Sequence, residues 1–185
     1  MTGFVSHYSD LRTFTANFAG ATPSILNGVP FLRLPYEIIN GQTATSRGAE
    51  VAIDWRPQNW WRLQGNFSHL KISTDPLNDP QGIGGNYPHN TASIKSSMDI
   101  GATRLDLRAY QVGSMILTTP SAIVPLPSYT TAEARVSWNL NPHTELAITG
   151  KNLVNSRHIE YISDNLVTPT RLTDRTFLGS LRYSF

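Results

Sequence analysis

Hydrophobic and polar residues alternate along most of this chain. In RGAEVAIDWR, residues 47–56, the apolar positions Ala49, Val51, Ile53 and Trp55 fall on one side, and Glu50, Asp54 and Arg56 fall on the other. A period of two residues is typical of a β-strand with two different faces. The same alternation recurs over residues 60–68, 91–100, 103–110, 131–140, 144–151 and 175–185, and more weakly over residues 3–14. The pattern predicts an all-β protein of about eight strands.

The connections between these strands are of two kinds, and the kinds alternate along the chain. Tight turns are predicted at residues 57–59, 101–103 and 141–143, whereas long connections rich in Gly, Pro, Asn and Ser are predicted at residues 15–43, 74–88, 116–128 and 156–174. This alternation of short and long connections predicts an antiparallel up-and-down meander with its tight turns at one end. Outer-membrane barrels have this design, and strands of about ten residues are long enough to cross a bilayer when tilted.

The large aromatic residues collect at the end of the meander where the tight turns lie. We interpret them as half of a membrane-interface aromatic girdle, consisting of Trp55, Trp60, Trp61, Trp138, Tyr183 and Phe185. A soluble β-sandwich or lipocalin-like barrel is the alternative, with these tryptophans in the core and the charged face in solvent. Alternation alone favours the soluble protein, but the aromatic positions and the uneven loop lengths favour the membrane barrel.

Composition and charge exclude several classes of function. The chain has 185 residues, 39% hydrophobic and 15% charged, without an apolar run long enough for a spanning helix. It contains no cysteine, which removes disulfides and thiolate metal sites, and its formal charge of +2 comes without a basic run that would indicate nucleic-acid binding. The five histidines lie on separate elements, and no catalytic motif is present. We therefore expect no enzyme activity, no cofactor and no metal site.

Several segments resemble the TonB-dependent outer-membrane receptors when they are read in order. NGQTATSRGAEVAIDWRPQNWWRLQGNFSHL is similar to a pair of barrel strands in that family, ITGKNLVNSRHIEY is similar to a strand near the end of those receptors, and LGSLRYSF resembles their last strand with its terminal Phe. HYSDLRTF resembles the D-L-R strand that precedes this region. The resemblance implies an outer-membrane location, contact with outer-membrane lipid, and a C-terminal strand that the barrel assembly machinery recognises.

The resemblance also implies a function for the protein to which such strands belong. Family members have about twenty-two strands around a plugged lumen. We therefore expect residues 1–185 to be a partial barrel domain, the C-terminal part of a transmembrane β-barrel that lacks a plug domain and a signal peptide. The parent receptor is expected to take up ferric siderophores or similar nutrients with the TonB system, and the fragment is expected not to transport alone. The candidate ligand-binding residues are Arg108 and Tyr110 on the barrel wall and His158, Asn165, Arg171 and Arg175 in the last loop.

A self-contained small barrel remains the alternative at this stage. It would serve as a membrane anchor or as a lipid-modifying outer-membrane enzyme. Eight strands can close with an interior just filled by side chains. This alternative requires the first strand to pair with the last one.

Overall fold

The computed structural model describes residues 1–75, 82, 84–118, 123–154, 157–160, 162 and 172–185. It contains twelve β-strands. They are β1 (Thr2–Ala16), β2 (Thr22–Leu26), β3 (Val29–Arg33), β4 (Tyr36–Gln58), β5 (Trp61–Thr74), β6 (Asn90–Ile100), β7 (Thr103–Val112), β8 (Met115–Thr118), β9 (Ile123–Leu126), β10 (Tyr129–Asn141), β11 (Thr144–Lys151) and β12 (Thr176–Tyr183). A single 3₁₀ turn, Phe18–Gly20, is the helical element in the described part of the chain.

Eight of these strands form one antiparallel sheet in the order β1-β4-β5-β6-β7-β10-β11-β12. The connections β4–β5, β6–β7 and β10–β11 are tight turns, so they lie at one end of the sheet, which we call the turn end. The opposite end, where the longer connections lie, is the loop end. The all-β fold and the meander are confirmed. The tight turns comprise residues 59–60, 101–102 and 142–143, so the first lies slightly later than the predicted 57–59.

The sheet is open. Strands β1 and β12 are its two edges, and neither has a second partner strand among the described residues. The small-barrel alternative needed these two strands to pair, and the described strands do not close in that way. An open sheet of this kind is instead consistent with part of a larger barrel.

The strand register separates the side chains into two faces, as the alternation predicted. Residues directly opposite in antiparallel strands point to the same side of the sheet. Val136 pairs with Leu105 and Ile148, and Ile94 pairs with Gly65 and Ala109, which makes one continuous apolar face. Arg135 pairs with Asp106, and this second side is the charged face.

The apolar face is uncovered, which excludes the soluble barrel. Trp55 and Trp138 are 57% and 53% exposed, and Ile148 and Leu181 are 66% and 68% exposed. A soluble barrel would have buried these side chains in a dry interior. Side chains this apolar and this exposed need a nonaqueous neighbour.

Two predicted loops contain strands, so those predictions were wrong in part. Within residues 15–43, β1 continues to Ala16, β4 begins at Tyr36, and β2 and β3 form a separate hairpin. The hairpin turns at Asn27 and Gly28, which both have positive φ, as a tight Asn-Gly turn requires. Within residues 116–128, β8 and β9 form another hairpin.

The core is small for a chain of this length. The buried apolar residues in the described part of the chain are Ala44, Val112, Leu117, Leu126 and Ala147. Stability therefore depends mainly on the hydrogen-bonded ladder and on contacts between neighbouring strands. No helix among the described residues is long and apolar enough to cross a membrane.

Candidate functional site

The turn end of the charged face carries a network of ion pairs. Asp106 is its centre: the Arg104 Nε donates to it at 3.0 Å, the Ser97 hydroxyl donates to it at 2.6 Å, and Lys95 Nζ lies 3.6 Å away. Arg104 also contacts Asp99 at 3.3 Å. These side chains are neighbours because strands β6 and β7 are directly paired.

The network continues onto the strands on either side. Arg135 on β10 donates to Glu145 on β11 at 2.8 Å, and Arg62 on β5 donates to Asp54 on β4 with its Nε at 2.9 Å. Most of these groups are partly exposed, so each pair contributes little to stability by itself. Together these ion pairs give the charged face a polar surface on which positive and negative groups balance.

An aromatic cluster lies on the same face at the loop end. The Tyr129 ring stacks on the His158 ring with a centroid distance of 4.2 Å and an interplanar angle of 26°. His158 Nε2 donates to the Glu160 carboxylate at 2.9 Å, and the His158 side chain is only 9% exposed. Residues 157–160 therefore lie against the start of β10.

The two wall residues predicted to bind ligand lie beside this cluster. Tyr110 pairs with Thr131, two residues after Tyr129 on the same face of β10, and the Arg108 guanidinium lies 5.8 Å from the Tyr110 ring centroid. The structure thus brings Arg108, Tyr110 and His158 into one region.

The base of the last loop is fixed by several hydrogen bonds. The Thr173 N–H donates to the His158 carbonyl, and the Asn152 side chain donates to the Asp174 carbonyl, both at 2.9 Å. The predicted ligand residue Arg175 donates to the Leu153 carbonyl at 2.9 Å, so it takes part in this base. Asn165 and Arg171, the other predicted ligand residues of this loop, lie outside the described residues.

A second feature of the loop end is an apolar cavity of about 500 Å³. Met115, Ile116, Pro125 and Leu126 of the β8–β9 hairpin line it, together with His89. Asn86 bridges the neighbouring loop to this hairpin, because its amide donates to the Thr118 carbonyl and its carbonyl accepts from the Thr118 N–H. In the described residues no group of three or more His, Cys, Asp or Glu side chains is arranged to hold a metal ion.

Comparison with known protein families identifies the family to which this chain belongs. The family model for "TonB dependent receptor-like, beta-barrel" matches residues 1–153. The chain belongs to the TonB-dependent receptor-like β-barrel family. Its members are receptors and transporters of the outer membrane rather than enzymes, so the outer-membrane location and the absence of an enzymatic role are confirmed by family membership. No curated protein shows significant similarity to this sequence.

Solved structures with the same fold include three bacterial receptors. The pyoverdine outer membrane receptor FpvA from Pseudomonas aeruginosa PAO1 has 14% identity and a TM-score of 0.74, over 99% of this chain and 26% of its own. The siderophore receptor PirA from Acinetobacter baumannii has 17% identity and a TM-score of 0.71, over 99% and 29%. The ferric-catecholate import receptor Fiu from E. coli K12 has 17% identity and a TM-score of 0.64, over 80% and 22%.

These likenesses show the fold, and they also show a difference in size. The chain spans roughly a quarter of the length of these receptors. In barrels of this kind the apolar face meets lipid, the short turns lie in the periplasm and the long loops lie outside. We therefore expect the charged face to line the lumen of the barrel and the aromatic cluster to lie at its outer mouth.

The six residues of the predicted girdle lie at or near the turn end. Trp60 and Trp61 stack at the β4–β5 turn with centroids 6.1 Å apart, and the Trp61 indole N–H donates to the Ser96 hydroxyl at 2.9 Å. Trp138 pairs with Thr103, and Tyr183 pairs with Thr144, beside the other two turns. Their role at the membrane interface remains a prediction.

Sequence reasoning missed Tyr129 and Glu160 as members of the mouth cluster. Tyr129 follows Pro127 and Ser128, which were interpreted as part of a long loop, and Glu160 belongs to the last loop. One signal was available: Tyr129 lies on the same side of its strand as the charged residues Glu133 and Arg135. Extending the alternation of β10 back by two residues to Tyr129 would have placed this side chain on the charged face.

Proposed function

We propose that residues 1–185 form the last part of the barrel of an outer-membrane transporter that takes up ferric siderophores or similarly chelated nutrients with the TonB system. The observation that carries this proposal is the open eight-stranded sheet with an uncovered apolar face and a charged lumen face. Family membership and the siderophore receptors among the structural neighbours support it.

In this proposal the ligand approaches the aromatic cluster at the mouth. Tyr129 and Tyr110 offer ring faces and hydroxyl groups, Arg108 offers a cation, and His158 with Glu160 forms a polar edge. Chelates of this class carry aromatic or acidic groups that such side chains can stack on or pair with. Arg175, Asn165 and Arg171 remain proposed contacts from the last loop.

Outer-membrane lipid and the barrel assembly machinery are the further proposed partners. The apolar face and the aromatic side chains at the turn end suit the lipid. The last strand ends in Tyr183 and Phe185, which are both exposed, and it forms an unpaired edge of the described sheet. These features support recognition of the C-terminal strand during insertion.

The described sheet is too narrow to enclose a path for a chelate. Barrel diameter grows with strand number, and eight strands leave room only for side chains. The unpaired edges β1 and β12 would also expose backbone groups, each costing several kcal/mol in a bilayer. We therefore propose that residues 1–185 act as part of a wider barrel, and that alone they need detergent and do not transport.

Iron uptake in a receptor-deficient strain tests this function. Cells that produce residues 1–185 alone should import no more of a radiolabelled ferric siderophore than cells with an empty vector. Cells in which the same residues are grafted onto the plug and remaining strands of a related receptor should recover uptake that depends on TonB. Uptake by the isolated chain would show that the partial-barrel proposal is wrong.

A further inference from the structure

Two basic side chains face each other on the apolar face near the loop end. Arg47 on β4 and Lys71 on β5 are directly paired in the strand register, and both are exposed. Neither forms a salt bridge within the described part of the chain. Like charges placed directly opposite in an antiparallel sheet destabilise it.

No acidic side chain lies close to this pair on the apolar face of β4 or β5, because the nearby Glu50 of β4 is on the charged face. The flanking pairs are Ala49 with His69 and Thr45 with Ser73, and the first acidic residue after Lys71 is Asp75, which follows the end of β5. From β5 to β12, Lys71 is the single charged side chain on the apolar face of the described strands. An anion from outside the sheet is therefore the missing partner.

The position of the pair relative to the membrane identifies where that anion lies. Trp61 is on the same face and the same strand at the turn end, ten residues before Lys71. Ten residues correspond to about 33 Å along a strand, or about 25 Å along the membrane normal at a tilt of about 40°. The apolar band of an outer-membrane barrel is about 25 Å tall. With Trp61 at one interface, Arg47 and Lys71 reach the headgroup layer of the other leaflet.

We propose that Arg47 and Lys71 form a binding site for the phosphorylated headgroup of an outer-leaflet lipid. A guanidinium binds phosphate oxygens through two parallel hydrogen bonds, and an ammonium adds a point charge beside it. The acyl chains of the same lipid would lie along the apolar band below, against residues such as Val51 and Phe67. The site lies outside the barrel, so it is separate from the proposed transport function.

Lipid binding to the chain in dodecyl maltoside micelles tests the site. The probes are phosphatidic acid, diacylglycerol with the same acyl chains, and free glycerol phosphate, each measured by native mass spectrometry. We expect preferential binding of phosphatidic acid, and a loss of about 25-fold in its affinity in the double variant R47Q/K71Q, or about fivefold for each residue. The variant R47K should retain most of the affinity.

The matched control removes the same charge elsewhere. R56Q/K151Q neutralises Arg56 at the turn end of β4 and Lys151 at the loop end of the charged face, and its affinity for phosphatidic acid should stay within about twofold of the unmodified chain. Diacylglycerol that binds as tightly as phosphatidic acid would overturn the proposal. Glycerol phosphate that competes as well as the lipid would overturn the assignment to a lipid, because the site would then be one for free phosphate.

Stability in the two lipids provides an independent measurement. R47T should raise the urea midpoint of the chain in diacylglycerol-containing micelles, because it removes an uncompensated repulsion from Lys71. The same variant should lose this advantage in phosphatidic acid, where the headgroup neutralises the pair. An identical effect of R47T in both lipids would contradict the site.

Discussion

The Phe4 ring occupies the space above Gly48 on the neighbouring strand. A β-carbon at position 48 would lie 2.6 Å from Phe4 Cζ and would also collide with the His69 carbonyl oxygen. The two residues are directly paired in the β1–β4 register, so the aromatic ring covers a backbone that has no side chain of its own. Glycine at this position is required for close packing, although the strand would otherwise favour a larger residue.

Gly48→Ala should therefore destabilise the folded sheet. We expect a loss of about 1–3 kcal/mol in the free energy of unfolding, because the new methyl group forces the ring and the β5 backbone apart. Urea unfolding in detergent, followed by tryptophan fluorescence, measures the loss. Gly179→Ala is the matched control: nothing lies within 4 Å of the point that its new methyl group would occupy, and the change should be neutral or slightly stabilising. Equal losses at both positions would contradict the packing argument.

Asp106→Asn should destabilise the lumen wall more than Asp99→Asn. Asp106 accepts from Ser97 and Arg104 and lies near Lys95, with only 17% of its side chain exposed, whereas Asp99 contacts Arg104 alone and is 60% exposed. Losing the more buried carboxylate should cost about 1–3 kcal/mol, and losing the exposed one less than about 0.5 kcal/mol. The difference between the two urea midpoints checks this expectation, and a larger effect of Asp99→Asn would show that the network is not centred on Asp106.

His158→Ala should loosen the last loop from the wall. The stacking on Tyr129 and the hydrogen bond to Glu160 would both be lost, while the backbone contacts of residues 152–154 and 172–175 remain. Limited proteolysis should then cut within residues 157–175 several times faster. His143→Ala, at the β10–β11 turn, removes an imidazole at the other end of the sheet and should leave this cleavage rate unchanged. Equal cleavage in the two variants would mean that His158 does not hold the loop.

Fluorescence quenching by brominated lipids should place the tryptophans near one headgroup layer. Because all four lie at the turn end and Trp55 and Trp138 are exposed on the apolar face, bromines close to the headgroup should quench more strongly than bromines near the chain ends. Trp138→Phe should remove part of this signal without changing its depth dependence. Quenching that is strongest at the centre of the bilayer would contradict the girdle.

The regular part of the sheet was predictable because each strand has one apolar face and one charged face. That asymmetry makes the period of two visible from Ala49 to Trp55 and again in every later strand of the sheet. Residues 15–43 lack it: apolar residues come in adjacent pairs such as Ile25–Leu26 and Ile38–Ile39, and both faces are exposed there. Without two different surroundings the strands β2, β3 and the start of β4 leave no alternating pattern.

The candidate site was only partly predictable for a different reason. Arg108 and Tyr110 could be placed on the lumen wall from their position in β7. The contact between Tyr129 and His158 joins residues 29 positions apart through a loop whose path the sequence does not specify. Local patterns indicate which face a residue occupies, whereas they do not indicate which loop returns to cover it.

The length of β4 has a practical consequence for studying the protein in living cells. Towards the loop end, β4 pairs with β5 as far as Ala44 and Thr74, but it pairs with β1 as far as Tyr36. Strands β1 and β4 therefore extend about 26 Å beyond the end of β5. The hairpin between these strands ends in the tight turn at Asn27 and Gly28, and such tips accept inserted peptides. A short epitope placed at that turn would be stained by antibody on unbroken bacteria if the loop end faces the medium, which would give a direct report of the orientation of the whole sheet.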